Sequence, residues 1–374
     1  MKIRVMTVVG TRPELIRLSV LIPKLDRFFD HKLVHTGQNY DFELNQVFFE
    51  DLGLRAPDVF LDAAGDGYAQ TIARVIERGS KVIRELRPQA LLVLGDTNSA
   101  LVAIVAKREH IPVFHMEAGN RGFNDEVPEE INRRIVDHIA DINLPYTAIA
   151  REYLLREGLH PQRVVCSGSP MAEVIQHYRS RIEQSTVCQR LNLQPQEYFV
   201  LSAHREENVD SVDRLEALKD LLELLSERYK LPIVFSIHPR TRARLTTFKI
   251  DLPPSVKLFP PFGFIDYMKL QLCSKAVFSD SGTITEESAL LRFNAVNLRR
   301  CHERPEGMSS GVLALTGFNG DKVMTALEII NAGLGIQRES FKLPEDYEHS
   351  DFSNIVLNTV LSYFSDTSHS NRCR

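Results

Sequence analysis

Short apolar runs and amphipathic stretches alternate along most of the chain. Residues 3–9 form an apolar, β-branched run, after which Thr11-Arg12-Pro13-Glu14 opens an amphipathic stretch to about Phe29. Residues 32–36 read as a second strand. Apolar spacing predicts a helix over 68–86, and 90–94 is a buried strand ending at Gly95-Asp96-Thr97. Residues 101–108 are helical, 113–116 a strand, and 129–139 helical again. Short strands separated by helices predict parallel βαβ units with right-handed crossovers.

The second half repeats this grammar. Strands are expected at 198–202, ending at His204, at 232–237, ending at His238-Pro239, and at 256–259. Another covers 275–279, ending at Asp280-Ser281-Gly282, and a further one 295–298. Residues 212–229 and 286–292 read as helices, and the tail is helical from about Asp351 to Phe364. The fold class predicted is α/β, with two doubly wound, Rossmann-like domains facing a central cleft. The first covers 1–168 and the second 169–350, with a terminal helix at about 351–374 packing back on the first.

Composition narrows the function classes. The 374 residues are 43% apolar and 25% charged, an ordinary globular profile that excludes a disordered or fibrous chain. Net charge is −4, from 45 basic against 49 acidic residues, and no basic block points to nucleic acid or anionic lipid. The start lacks the apolar stretch of a signal peptide, and no run approaches the ~18 apolar residues of a bilayer span. A soluble, cytoplasmic protein is expected, with neither nucleic acid nor membrane as partner. The five cysteines are odd in number and form no CxxC pair, so free thiols and no zinc site are expected.

Ligands of open parallel sheets bind past the carboxyl ends of the strands. Arg12, Asp96 and Glu117 stand at such ends in the first half, and His204, His238 and Ser281 in the second. Ser281-Gly282-Thr283 could cradle a phosphate, because glycine permits close backbone approach and a helix start favours an anion. An ordinary helix cap is the alternative. Glu287 could hold a ribose diol or face solvent, and Arg304 could reach a diphosphate or be a surface charge. Asp96, Glu117 and Glu129, gathered together, could divide acid and base roles. Singly, Asp96 could cap a helix and Glu129 could be a first-turn acid after Pro128. No GxGxxG opens the first unit, so no tightly held NAD and no other cofactor are expected; the absent GxxxxGK[ST] argues against ATP hydrolysis, and the GxSxG elbow of α/β-hydrolases is missing.

Taken in order, Gly10-Thr11-Arg12-Pro13-Glu14, Gly95-Asp96-Thr97, Glu117-Ala118-Gly119, Pro128-Glu129-Glu130 with Asn132-Arg133, His204-Arg205-Glu206-Glu207-Asn208, Asp280-Ser281-Gly282 with Glu286-Glu287, and Glu303-Arg304-Pro305-Glu306 match one family. The chain resembles the non-hydrolysing UDP-N-acetylglucosamine 2-epimerases, from residue 1 to about 330. Within them it is most similar to the branch that converts UDP-2-acetamido-2,6-dideoxy-L-talose to UDP-N-acetyl-L-fucosamine for surface polysaccharides. The residues that point there are Met6-Thr7-Val8-Val9, the run from His35 to Tyr40, and the stretches 204–211 and 302–308.

This resemblance implies a glycosyltransferase-B-like fold, a UDP-sugar substrate and a homodimer. It implies catalytic roles for Asp96, Glu117, Glu129 and His204, and diphosphate contacts from Arg12 and Arg304. Ser281, Gly282 and Thr283 match the phosphate turn, with Thr283 replacing the family's second glycine. Glu287 matches the ribose ligand, and Phe262 and Tyr267 fall where the uracil ring is held. The family usually carries Lys where Arg17 stands; Arg stays charged, so the role implied is charge stabilisation. Asn39-Tyr40 replaces residues that elsewhere hold a second, activating substrate molecule. The resemblance also implies elimination of UDP to a glycal followed by re-addition. UDP-N-acetylglucosamine as substrate, or glycosyl transfer on the same architecture, are the alternatives.

Overall fold

The computed structural model describes residues 2–37, 49–124, 127–300, 304–348 and 351–365. Of the segments named above, Gln38, Asn39, Tyr40, His302 and Glu303 lie outside the described residues. The chain divides into two compact units, Met1–His177 with Glu345–Arg374, and Tyr178–Pro344.

The first unit is built on a six-stranded parallel sheet in the order β3-β2-β1-β4-β5-β6. Its strands are β1 (Arg4–Val9), β2 (Asp30–His35), β3 (Val59–Phe60), β4 (Ala90–Leu94), β5 (Val113–Met116) and β6 (Ile142–Leu144). The four central strands are buried almost throughout, as expected of a sheet covered on both faces. On one face the helices Tyr68–Leu86 and Val102–Arg108 bury Val75, Val82, Ile83, Val102 and Ala106 against Val8, Leu91 and Val93. The terminal helix Phe352–Ser365 returns to this unit. Phe352 meets the Tyr146 ring edge-on at 5.9 Å, and Ser353 hydrogen-bonds Glu173 through its N–H and hydroxyl.

The second unit carries another six-stranded parallel sheet, ordered β12-β11-β10-β7-β8-β9. Its strands are β7 (Phe199–Ser202), β8 (Ile233–Ser236), β9 (Val256–Phe259), β10 (Ala276–Ser279), β11 (Ala295–Asn297) and β12 (Ala314–Leu315). Numbered from its own first strand, this is the order of the first sheet. Each is therefore doubly wound, with a switch point where the chain reverses direction: between β1 and β4, and between β7 and β10. The helix Val212–Tyr229 buries Leu215, Leu218, Leu222 and Leu225 on this sheet at helical spacing.

Three strands, β3, β6 and β12, had no counterpart in the apolar pattern, being only two or three residues long at or beside sheet edges. The helix expected over 101–108 is instead a 3-10 turn, Asn98–Leu101, followed by an α-helix, Val102–Arg108. Among the described residues no helix is long and apolar enough to cross a membrane.

Candidate functional site

At the first switch point β1 runs into Gly10-Thr11 and then the helix Arg12–Leu18, with Pro13 in its first turn. Gly10 is required by close approach, since a Cβ there would lie 1.9 Å from the Ser99 hydroxyl oxygen and 2.3 Å from that of Thr36. Glu14 turns its carboxyl back under this loop. It accepts the Gly10 N–H at 3.0 Å, the Thr11 hydroxyl at 2.7 Å and the Thr97 hydroxyl at 3.2 Å. Burial raises its pKa to about 7, only partly offset by these hydrogen bonds. Arg12, half-buried, stands at the start of the helix.

Past β4, Gly95 turns with φ +69° and presents Asp96. Asp96 does not cap the following turn; Thr97 holds that position, and the Asp96 carboxyl pairs with the buried Arg133. Asn132 donates to the Asp96 carbonyl at 3.0 Å and to Asn98 at 3.1 Å. Past β5, Glu117 adopts φ +61°, a conformation that costs a non-glycine residue strain. Its carboxyl pairs with Arg17 and receives a 3.4 Å contact from the Asn120 amide. A Cβ on Gly95 would come within 3.3 Å of that same carboxyl. Arg133 also donates to the Asn120 carbonyl at 3.1 Å, so one guanidinium ties the Asp96 turn to the Glu117 loop.

Glu129 lies in the first turn of the helix Pro128–Ile139, half-buried, one helical turn before Arg133 and on the same face. Its neighbour Glu130 is buried and structural: it accepts the Gly122 N–H at 2.9 Å and pairs with Arg134. The structure thus brings Asp96, Glu117, Arg17 and the helix of Glu129 together in the first unit.

Beneath them lies a chain of polar groups that apolar patterning could not reveal. His115 sits wholly buried in β5. One nitrogen contacts the Gly95 carbonyl at 2.7 Å and the other lies 2.9 Å from Asp137. Asp137 also meets Arg121 at 2.8 Å and accepts the Gly119 N–H, while Arg121 makes a two-pronged contact with Glu157. Burial opposes charge on Asp137, but His115 and Arg121 outweigh it and hold its pKa below the usual carboxylate value. The only sequence signal was a histidine inside an otherwise apolar strand.

The second switch point joins β7 and β10. His204 follows β7, with its side chain 41% exposed, and its Nδ1 lies 3.1 Å from the carboxylate of Asp280. The His204 and His238 rings stand 6.2 Å apart, and His238 caps the helix Pro239–Phe248 by accepting the Arg240 N–H. Thr283 occupies the N-cap of the helix Ile284–Leu291 without a side-chain cap bond; the Ser281 hydroxyl accepts the Thr283 N–H at 3.3 Å and meets the Thr283 hydroxyl at 3.0 Å. A Cβ on Gly282 would have nothing nearer than the Arg205 guanidinium at 3.9 Å.

Glu287 is buried and accepts from the Gln271 amide at 3.2 Å, so it does not lie on a solvated face. Arg304 is likewise no surface charge: it is buried, and its Nε donates to the fully buried Glu286 at 2.7 Å. Phe262 packs half-buried against Phe259, ring centroids 5.5 Å apart, and Tyr267 lies partly buried on the same cluster.

Two doubly wound sheets, with polar residues gathered past their carboxyl edges, define a nucleotide-type α/β protein. Comparison with known proteins narrows this. The family described as UDP-N-acetylglucosamine 2-epimerase matches residues 24–353. A structure of UDP-N-acetylglucosamine 2-epimerase from Rickettsia bellii is 46% identical, with TM-score 0.90, covering 97% of each chain. The Methanocaldococcus jannaschii enzyme, solved with UDP-GlcNAc and UDP, is 31% identical with TM-score 0.89, covering 96% of this chain and all of the other. A UDP-2,3-diacetamido-2,3-dideoxy-D-glucuronate 2-epimerase of Pseudomonas aeruginosa is 32% identical, over 86% of this chain and 90% of its own. The chain belongs to the UDP-N-acetylglucosamine 2-epimerase family and is accordingly an enzyme, a non-hydrolysing UDP-sugar 2-epimerase.

Proposed function

We propose that the enzyme inverts C2 of UDP-2-acetamido-2,6-dideoxy-L-talose, giving UDP-N-acetyl-L-fucosamine for surface polysaccharide. The chemistry rests on the ion-paired carboxyls at adjacent strand ends, Asp96 on Arg133 and Glu117 on Arg17, and the choice of sugar rests on the sequence resemblance to that branch. The C2 proton of an acetamido sugar has no adjacent carbonyl to acidify it. Elimination avoids that difficulty. A base takes H2, its bonding electrons form the C1=C2 double bond, and the C1–O bond breaks to release UDP. Return of the diphosphate oxygen to C1, with a proton delivered to the other face of C2, gives the epimer.

Asp96 and Glu129 transfer the protons, and Glu117 positions the sugar or shares the base role. Glu129 is half-buried in the first turn of its helix, one turn before the Arg133 that pairs with Asp96. Arg17 stabilises charge beside Glu117. Arg12, His204, Arg304 and the Ser281-Gly282-Thr283 turn grip the diphosphate, most strongly as charge grows on the departing group. The open space around Gly282 supports close approach of a phosphate there. Glu287 holds the ribose, Phe262 and Tyr267 the uracil, and His238 stands beside His204. Catalytic carboxyls on 1–168, UDP contacts on 169–350 and a cytoplasmic homodimer complete the proposal.

The names of the neighbouring structures favour a second substrate, UDP-N-acetylglucosamine. Incubation with each UDP-sugar alone, followed by NMR of the products, decides. The L-talo sugar should be epimerised without an acceptor, and UDP-N-acetylglucosamine about tenfold more slowly or not at all. Faster turnover of UDP-N-acetylglucosamine would reassign the substrate. Sugar transfer that needs an acceptor would overturn the epimerase chemistry.

A further inference from the structure

Asp280 is wholly buried where β10 ends, beside the last residue of β7, and its N–H donates to the Ser202 carbonyl at 3.2 Å. Its carboxylate crosses the switch point. Oδ2 accepts the backbone N–H groups of His204 and Arg205, each at 2.9 Å, and the Asn208 amide at 3.1 Å. Oδ1 lies 3.1 Å from Nδ1 of the His204 ring. The next residue along the chain is Ser281, which opens the turn before the helix Ile284–Leu291. One side chain thus braces the loop after β7 and the turn after β10.

We infer that Asp280 is a positioning residue that holds a proton on Nδ1 of the His204 imidazole and turns the ring so that Nε2, when it also carries a proton, donates to the diphosphate. This rests on the epimerase function proposed above and assigns a device within it. A carboxylate against Nδ1 selects the tautomer, orients the ring and stabilises the imidazolium formed when Nε2 also carries a proton. The carboxylate is available throughout the working range. Burial alone would raise its pKa, but the His204 charge and the hydrogen bonds from His204, Arg205 and Asn208 hold it at about 2. A brace that only held the backbone would need Oδ2 alone. The approach of Oδ1 to the imidazole is the part a structural role leaves unexplained.

Asp280→Asn separates the two roles, because a carboxamide oxygen still accepts the backbone N–H groups while its NH2 now faces Nδ1. Loss of kcat on the order of 100-fold is expected, with the dissociation constant for UDP changing about threefold at most. In a His204→Gln background the same substitution should cost nothing further, as it acts through that ring. Nitrogen-15 spectra of the wild-type protein should show His204 protonated on Nδ1, and spectra of Asp280→Asn should show that proton moved to Nε2. An unprotonated Nδ1 in the wild type overturns the inference even if the variant fails to fold, as does an equal loss in both backgrounds. A wild-type protein that epimerises no UDP-sugar would sink the proposed function, while the spectra would still decide the role of Asp280.

Discussion

Arg17 and Glu117, one hundred residues apart in the chain, form an ion pair in which both side chains are nearly buried, 11% and 4% exposed. Breaking a buried pair from one side leaves the other charge uncompensated, at a cost of about 3–5 kcal/mol. Arg17→Leu should therefore lower the unfolding free energy by about 3 kcal/mol in urea titrations, and adding Glu117→Gln should restore much of it. Equal, additive losses from the two single variants would show that the pair is not coupled. The same contact holds the Glu117 carboxyl near Gly95 despite the strained backbone beneath it.

Glu129, proposed above to transfer a proton, stands beside Glu130, which is buried and tied to Gly122 and Arg134. Asp96→Asn, Glu117→Gln and Glu129→Gln should each lower turnover by about 100-fold or more with UDP affinity retained, as losses of proton transfer or sugar positioning. Glu130→Gln removes a charged partner of Arg134 and weakens the bond to Gly122, so it should lower thermal stability with turnover near normal. Near-normal kcat for Asp96→Asn or Glu117→Gln in the NMR assay would refute their assignment. Reversed behaviour of Glu129 and Glu130 would exchange their roles.

Two glycines that look alike in sequence should respond oppositely. Gly10→Ala drives a methyl into the Ser99 and Thr36 hydroxyls, which hydrogen-bond each other at 2.7 Å, and should cost about 1–3 kcal/mol of stability. Gly282→Ala meets no protein atom closer than 3.9 Å and should leave the melting temperature unchanged. It should weaken UDP binding, because the added carbon occupies the space a phosphate would take. Unaltered UDP affinity in calorimetry would remove the phosphate from this turn.

Much of this framework could be read from residue order alone. β4, the helix Tyr68–Leu86 and the helix Val212–Tyr229 announce themselves through uninterrupted apolar runs or helical spacing. β12, two residues long, carries too few positions for any period to show, and its pairing comes from β11 beside it. At the site, residue types and strand-end positions marked Asp96, Glu117 and His204. What they lacked was partners. Arg133 reaches Asp96 across 37 residues and Asp280 reaches Asn208 across 72, and such pairings follow from sheet order, which local pattern does not encode. For the same reason Arg304 could be read either as a diphosphate ligand or as a surface charge; its pairing with the buried Glu286 removes the second reading.

The buried Glu14 should make stability depend on pH near neutrality. Its pKa rises from 4.5 to about 7 on folding, with burial the dominant cause. A carboxyl shifted upwards contributes its full stability below the unfolded value and loses it as pH rises through the folded value. The folded protein should thus lose on the order of 3 kcal/mol from this group between pH 4.5 and pH 8. Glu14→Gln mimics the protonated side chain, since its oxygen can accept from Gly10 and Thr11 and its NH2 can donate to Thr97. The variant should match the wild type near pH 4.5 and become the more stable of the two by pH 8, measured by urea unfolding across that range. Other groups titrate in both proteins and cancel in the difference. A difference that stays constant with pH would mean that Glu14 ionises normally, and that its three hydrogen bonds offset burial in full.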